Sequence, residues 1–188
     1  MPAIAIVPAA GKAERFGGAK LVADLNGEPL IDWTLGSLLD GGIARIVVVI
    51  GPESDLSKSK RLTDSRVTVV VNPDPSRGML SSIQTGLAST GGDPILFLPA
   101  DMPFVTSATV AEIIHACAGR QRLIVPVHQD RSGHPIAIPN ALRRAVLMAP
   151  PTSSLKEALA PFRPMGDELA VGDPGILRDV DVREDLIA

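Results

Sequence analysis

Aromatic residues are scarce, with four Phe, one Trp and no Tyr among 188 residues. Proteins that hold single strands stack bases on such rings. There is no excess of positive charge either: 18 Lys and Arg stand against 21 Asp and Glu, for a net charge of -3, and the basic residues are scattered singly. Nucleic acid is therefore not an expected partner. Cys117 is the single cysteine, which excludes an internal disulfide and a cysteine-rich metal site and suits a reducing compartment. Long apolar runs are missing too. The run 3–7 is too short for a signal peptide, and nothing approaches membrane-spanning length, so a cytoplasmic protein with no membrane partner is expected.

What is present is ordinary globular composition, 45% hydrophobic and 21% charged, enough for a sizeable core. With no internal repeat, low-complexity tract or linker, the length predicts one domain over 1–188. Short β-branched runs recur: "AIAIV" at 3–7, "RIVVVIG" at 45–51, "RVTVVVN" at 66–72, "PILFLPAD" at 94–101 and "RLIVPV" at 122–127. Such runs suit strands buried on both faces of a parallel sheet.

Helical patterns lie between them. Pro29 can open a helix whose Leu30, Ile31, Leu35, Leu38 and Leu39 share a face before Gly41-Gly42, with Trp33 among the core-facing residues. From Thr106, the spacing of Val110, Ile113, Ile114 and Cys117 predicts a second helix with Cys117 in the core. "HPIAIP" reads as an extra, antiparallel strand, and helical segments are expected at 140–148 and 153–160. The alternation predicts an open α/β sheet whose ligands sit at the carboxyl ends of strands.

The stretch "PAAGKAERFGGAK" at 8–20 joins the first strand to the first helix. It is neither a Walker loop nor a dinucleotide fingerprint. It offers a small-residue turn, Ala9-Ala10-Gly11, then Arg15 as a planar fork and Lys20 as a point charge, equipment that suits a triphosphate. The plain alternative is a surface turn with solvated cations. Asp101, in "FLPADMP", stands just beyond a buried strand between two prolines. It can hold Mg²⁺ carrying substrate phosphates or cap the following turn, and its pairing with the loop favours the metal.

Together these segments resemble the nucleoside triphosphate transferases of molybdenum cofactor maturation, especially the molybdenum cofactor cytidylyltransferases. The resemblance rests on "AAGKAERFGGAKL", "NGEPLIDWTL", "GMLSSIQTGL", "PADMPFVTSATV", "SGHPIAI" and "LRDVDVREDL", in that order along the chain. It implies a Rossmann-like, three-layer α/β/α nucleotidyltransferase with a mostly parallel sheet. The implied reaction joins CTP to the terminal phosphate of a molybdopterin-type cofactor, with Mg²⁺ or Mn²⁺, and releases pyrophosphate. A chaperone or a xanthine dehydrogenase-type enzyme is implied downstream.

Carried over by position, Ala9, Ala10 and Gly11 hold the nucleotide, Arg15 and Lys20 bind the triphosphate and Asp101 binds the metal. Gly78, Ser81 and Ser82 lie in the turn that the family places near the base, although capping a helix would also explain the serines. Ala-Ala-Gly looks like the cytidylyl branch, where the guanylyl branch usually has Ala-Gly-Gly. Asp181 matches a position that completes the metal site in related transferases, or else decorates a strand end. Gly133 and His134 match a Gly-His-Pro feature placed near the acceptor, with His134 a donor to phosphate or simply a structural residue. His115 and His128 are read as structural.

Because a phosphate nucleophile is already ionised near neutral pH, this chemistry needs no general base, and no nucleophile–base arrangement is evident. Rival readings keep the chemistry but change the acceptor, to a sugar phosphate or methylerythritol phosphate, or the base, to guanine. Another reading is a nucleotide-binding regulatory module without turnover.

Overall fold

The computed structural model describes residues 2–11, 16–150 and 152–186. Its central sheet begins with β1 (Ile4–Pro8), every residue of which is buried. The chain then forms a small antiparallel ribbon, β2 (Asp24–Leu25) with β3 (Glu28–Pro29). Helix α1 (Leu30–Asp40) follows, with Pro29 at its N-cap, and Gly42 turns the chain at φ 94° beyond it. Strand β4 (Arg45–Ile50) pairs parallel to β1, and β5 (Val67–Val71) pairs parallel to β4 at the sheet edge.

From that edge α2 (Met79–Ser89) crosses back, and β6 (Ile95–Phe97) pairs parallel on the other side of β1. Helix α3 (Ser107–Cys117) leads to β7 (Ile124–His128), and β8 (Arg131–Ser132) folds back on β7. Strand β9 (Ile136–Ile138) inserts antiparallel between β6 and β7, as "HPIAIP" suggested. Two short helices, α4 (Arg143–Leu147) and α5 (Leu155–Leu159), precede β10 (Asp167–Ala170), which pairs parallel to β7. The strand order is β10-β7-β9-β6-β1-β4-β5.

Strand residues alternate between two apolar layers, as the two-residue period of a pleated strand requires. On one face Ala5, Val7, Ile46, Val48, Leu96 and Leu98 meet α1 and α3 through Leu35, Leu38, Val110 and Ile113. On the other, Ile4, Ile6, Val47, Val49, Ile95 and Phe97 meet α2, α4 and α5 through Ile83, Leu87, Val146 and Leu159. This is the three-layer α/β/α arrangement that the alternation of strands and helices predicts.

Two expectations need correction. Strand β5 is not buried on both faces: as the last strand it has no helix-covered partner beyond it, and Val69 and Val71 are exposed. Nor is Trp33 a core residue. It lies at the rim of α1, more than a third exposed, and its Nε1 donates to the Leu25 carbonyl at 2.8 Å. An indole finds a partner for its N–H more readily at such a rim than inside an apolar layer.

Cys117 packs against the α1–α3 layer, and burial, reinforced by Asp93, pushes its thiol up to about 11. Since the thiolate is the reactive form, Cys117 should resist a thiol reagent at pH 8 in the folded protein and react fully once the protein is unfolded in denaturant. Rapid labelling of the folded chain would contradict this packing.

Candidate active site

The chain leaves β1 toward β4 and β5 on one side and returns to β6 on the other. The order therefore reverses between β1 and β6, the point at which open α/β sheets receive ligands outside the carboxyl ends of their strands. Ala9 continues the ladder by donating to the Val49 carbonyl at 2.8 Å, and Ala100 N–H donates to the Pro8 carbonyl at 3.2 Å. The Ala9-Ala10 turn and the segment leading to Asp101 are thus neighbours at this reversal. Arg15 lies outside the described residues.

The loop re-enters through Gly17 and Gly18, both at positive φ, and then Ala19 at φ 39°. A left-handed alanine costs roughly 1–2 kcal/mol, and here it precedes the turn that sends Lys20 inward. The Lys20 ammonium is buried. It donates to Asp101 Oδ2 at 2.7 Å and to the Val180 carbonyl at 2.6 Å, and stands 3.7 Å from Asp181 Oδ1. A buried charge needs such partners, because water is not there to solvate it. Asp101 and Asp181 thereby converge on one cation from segments far apart in sequence. Among the described residues no cluster of three or more His, Cys, Asp or Glu could hold a metal, so a bound ion would draw its remaining ligands from elsewhere.

Two supports fix Asp101 and Asp181. Thr34 Oγ1 in α1 donates to the Ala100 carbonyl at 3.0 Å, and Val180 N–H donates to the Asp101 carbonyl at 2.9 Å. The strap 173–182 is pinned through Asp173, whose carboxylate accepts from Thr106 N–H, the hydroxyls of Thr106 and Thr109, and Gly175 N–H, all between 2.7 and 2.9 Å. Burial alone would raise the pKa of Asp173, but these four donors hold it below the usual carboxylate range. Close backbone contact completes the strap: a Cβ on Gly175 would fall 2.0 Å from the Phe104 carbonyl, and one on Gly133 2.2 Å from the Ile176 carbonyl. Asp185 in turn accepts from the N–H groups of Val182 and Asp181, which lower its pKa and shape the turn carrying Asp181.

The other expected residues lie around this centre without touching it. Gly78, at φ 90°, is the N-cap of α2 at the far end of β5, and neither serine caps that helix. Ser81 and Ser82 are buried and accept from Asn72 Nδ2 at 2.8 and 3.0 Å, with Ser81 also donating to the Gly78 carbonyl. They fix the β5–α2 connection. Asn72 and Asp173 were not singled out from the sequence, although "NPD" and "DPG" are recognisable turn signals.

His134 Nδ1 faces the Phe97 carbonyl at 3.3 Å, which can only accept, so this nitrogen carries the proton. Burial depresses the pKa, with the Phe97 bond and the charges of Asp101 and Asp179 acting the other way. With Nδ1 engaged by Phe97, Nε2 is the nitrogen left for any further partner. His128 bonds the Val171 carbonyl through Nδ1 at 3.0 Å and is structural.

Residues 5–166 match the model of the MobA-like NTP transferase domain. The chain belongs to this family. It is a nucleotidyltransferase, and the fold, the recognised family and the class of enzyme agree with the resemblance drawn from the motifs. Among curated relatives, the molybdenum cofactor cytidylyltransferase of Escherichia coli is 25% identical over 97% of this chain and 92% of its own length. A probable molybdenum cofactor guanylyltransferase of Methanothermobacter thermautotrophicus is 31% identical over 51% of this chain and 48% of its own. A 2-C-methyl-D-erythritol 4-phosphate cytidylyltransferase of Rhodococcus opacus is 30% identical over 67% and 56%. The solved structure of the Rv0371c protein of Mycobacterium tuberculosis superposes with a TM-score of 0.81 at 22% identity, covering 98% of this chain and 95% of that one.

Two predictions follow from the geometry of this MobA-like site. Gly175→Ala should lower the melting temperature by several degrees, the cost of forcing a methyl into packed backbone being about 1–3 kcal/mol, whereas Gly172→Ala, with open space around it, should be nearly neutral. A thermal-shift comparison decides. His134, whose pKa lies below its ordinary 6.5 when folded, takes up its proton more readily in the unfolded chain. Stability should therefore fall as pH drops below about 6.5. Melting curves between pH 7.5 and 5 should show that slope in the wild type and a flatter one in His134→Gln; identical slopes would mean that another group is responsible.

Proposed function

We propose that this MobA-like protein transfers a cytidylyl group from CTP to the terminal phosphate of a molybdopterin-type cofactor and releases pyrophosphate. The observation that carries the reading is the convergence of Asp101 and Asp181 on one buried cation at the reversal between β1 and β6. The cytidylyltransferase relative, aligned over nearly the whole chain, supports the choice of nucleotide and acceptor.

Two carboxylates facing one point fit Mg²⁺ or Mn²⁺, since such ions commonly take one or two carboxylates and complete their shell with substrate phosphate and water oxygens. Bound there, the ion would neutralise charge on the triphosphate. The Ala9-Ala10-Gly11 turn would receive the nucleotide, and the half-buried Ala10 methyl would narrow the room for a larger base. Lys20 and Arg15 would meet the β- and γ-phosphates. The acceptor's phosphate oxygen would attack the α-phosphorus in line as the bond from that phosphorus to the pyrophosphate oxygen breaks. Ser81 and Ser82 would act from a distance, by holding the β5–α2 turn near the base, and His134 by supporting the β6 end with Gly133. The described residues include no helix long and apolar enough to cross a membrane, which fits soluble substrates and a cytoplasmic setting. A molybdoenzyme or its chaperone would take the product.

Thermal unfolding with CTP, GTP, ATP and UTP, each with and without Mg²⁺, tests the choice of nucleotide. A ligand at about 100 times its dissociation constant adds roughly 2.7 kcal/mol of stability, and each kcal/mol moves a chain of this size by about 2–4 °C. The largest shift is expected with CTP and Mg²⁺ together; a larger one with GTP would move the assignment to the guanylyl branch. Asp101→Asn should retain the fold and lose turnover on the order of a hundredfold or more, and unchanged turnover would remove Asp101 from the site.

A further inference from the structure

The Lys20 ammonium sits where Asp101, Asp181 and the Val180 carbonyl point, the same donors that a divalent cation would use. Two of its three donors are committed to the protein by short bonds, at 2.7 and 2.6 Å, so turning it fully toward a triphosphate means giving those bonds up. The Lys20 ammonium lies between the two carboxylates and offsets part of their charge. Because the ammonium already screens the carboxylates, the resting site offers a metal less than the bare pair would.

We propose that Lys20 is a placeholder cation: without nucleotide its ammonium holds the position a divalent metal takes, and it gives that position up by moving to the triphosphate. Metal and nucleotide then strengthen each other's binding, since each supplies what the exchange requires. Two-site coupling of this kind is reciprocal and typically 5- to 150-fold. The exchange needs only a rotation of a side chain with four flexible bonds, and the compact, three-donor ammonium can pass from carboxylate to phosphate oxygens where a planar guanidinium would need a paired fork. The inference rests on Asp101 and Asp181 being the metal's ligands, as proposed above.

Mn²⁺ alone is the probe, its free fraction followed by electron paramagnetic resonance in the absence of nucleotide. Lys20→Met should bind Mn²⁺ about tenfold or more tightly than the wild type, and Lys20→Arg, which keeps the charge, should remain weak. A non-hydrolysable CTP analogue should tighten Mn²⁺ binding in the wild type by more than in Lys20→Met. If Lys20→Met binds no more tightly than wild type while Asp101→Asn abolishes binding in both backgrounds, the placeholder is wrong and the metal ligands stand. If Asp101→Asn leaves Mn²⁺ binding unchanged, it is the metal assignment that fails. Removing the ammonium leaves two carboxylates facing each other, so Lys20→Met should melt lower than wild type and be raised more by Mn²⁺ than the wild type is. A variant that no concentration of Mn²⁺ restores would also overturn the exchange, because the metal would then be unable to replace the ammonium.

Discussion

The buried ammonium of Lys20 is the constraint on which the carboxyl end of the sheet depends. Its partners lie 81 and 160 residues further along the chain, so one charge ties the glycine-rich loop to the end of β6 and to the C-terminal strap. Breaking one side of a buried pair leaves the other charge without solvent, which costs far more than the pair's net contribution to stability. The three segments therefore have little freedom to settle independently. The left-handed Ala19 fits this picture: a conformation that is unfavourable by itself persists because the ammonium beyond it has a fixed destination.

The strap illustrates how a weakly structured segment can be held as firmly as a strand. Residues 173–182 contain a single 3₁₀ turn, Pro174–Leu177, yet Asp173 collects four donors at the start of α3 and two glycines let carbonyl groups approach without a Cβ between them. The stretch matched by the family model ends at residue 166. Asp181 is thus supplied from beyond it, by a segment whose anchoring residues serve position.

Much of this was legible in the sequence because the signals were periodic or punctuated. Apolar runs marked β1, β4, β6 and β7, and a proline-framed Asp after a buried strand marked the end of β6. What the sequence could not carry was register across the strap. Asp173 reads as an ordinary Asp-Pro-Gly turn, and only the fold brings Thr106 and Thr109 to its carboxylate. Asn72, likewise, is one polar residue after a strand until Ser81 and Ser82 are brought beneath it. Strand β5 misled for a different reason: a valine-rich run has the same appearance at the edge of a sheet as at its centre, and its neighbours decide its burial.

Strand β9 gives the carboxyl end of the sheet two sides of different character. Inserted antiparallel between β6 and β7, it separates the parallel half of the sheet from β7 and β10, and the chain entering it carries Gly133 and His134 toward the carboxyl end of β6. On the β1 side the Ala9-Ala10 turn follows the strand, small residues suited to close approach by phosphates. On the β9 side stands the His134 imidazole, whose Nδ1 faces the Phe97 carbonyl at the end of β6. Among the described residues, the Lys20, Asp101 and Asp181 trio is where opposite charges meet at this end of the sheet, so whatever changes that trio changes the electrostatics between the two sides.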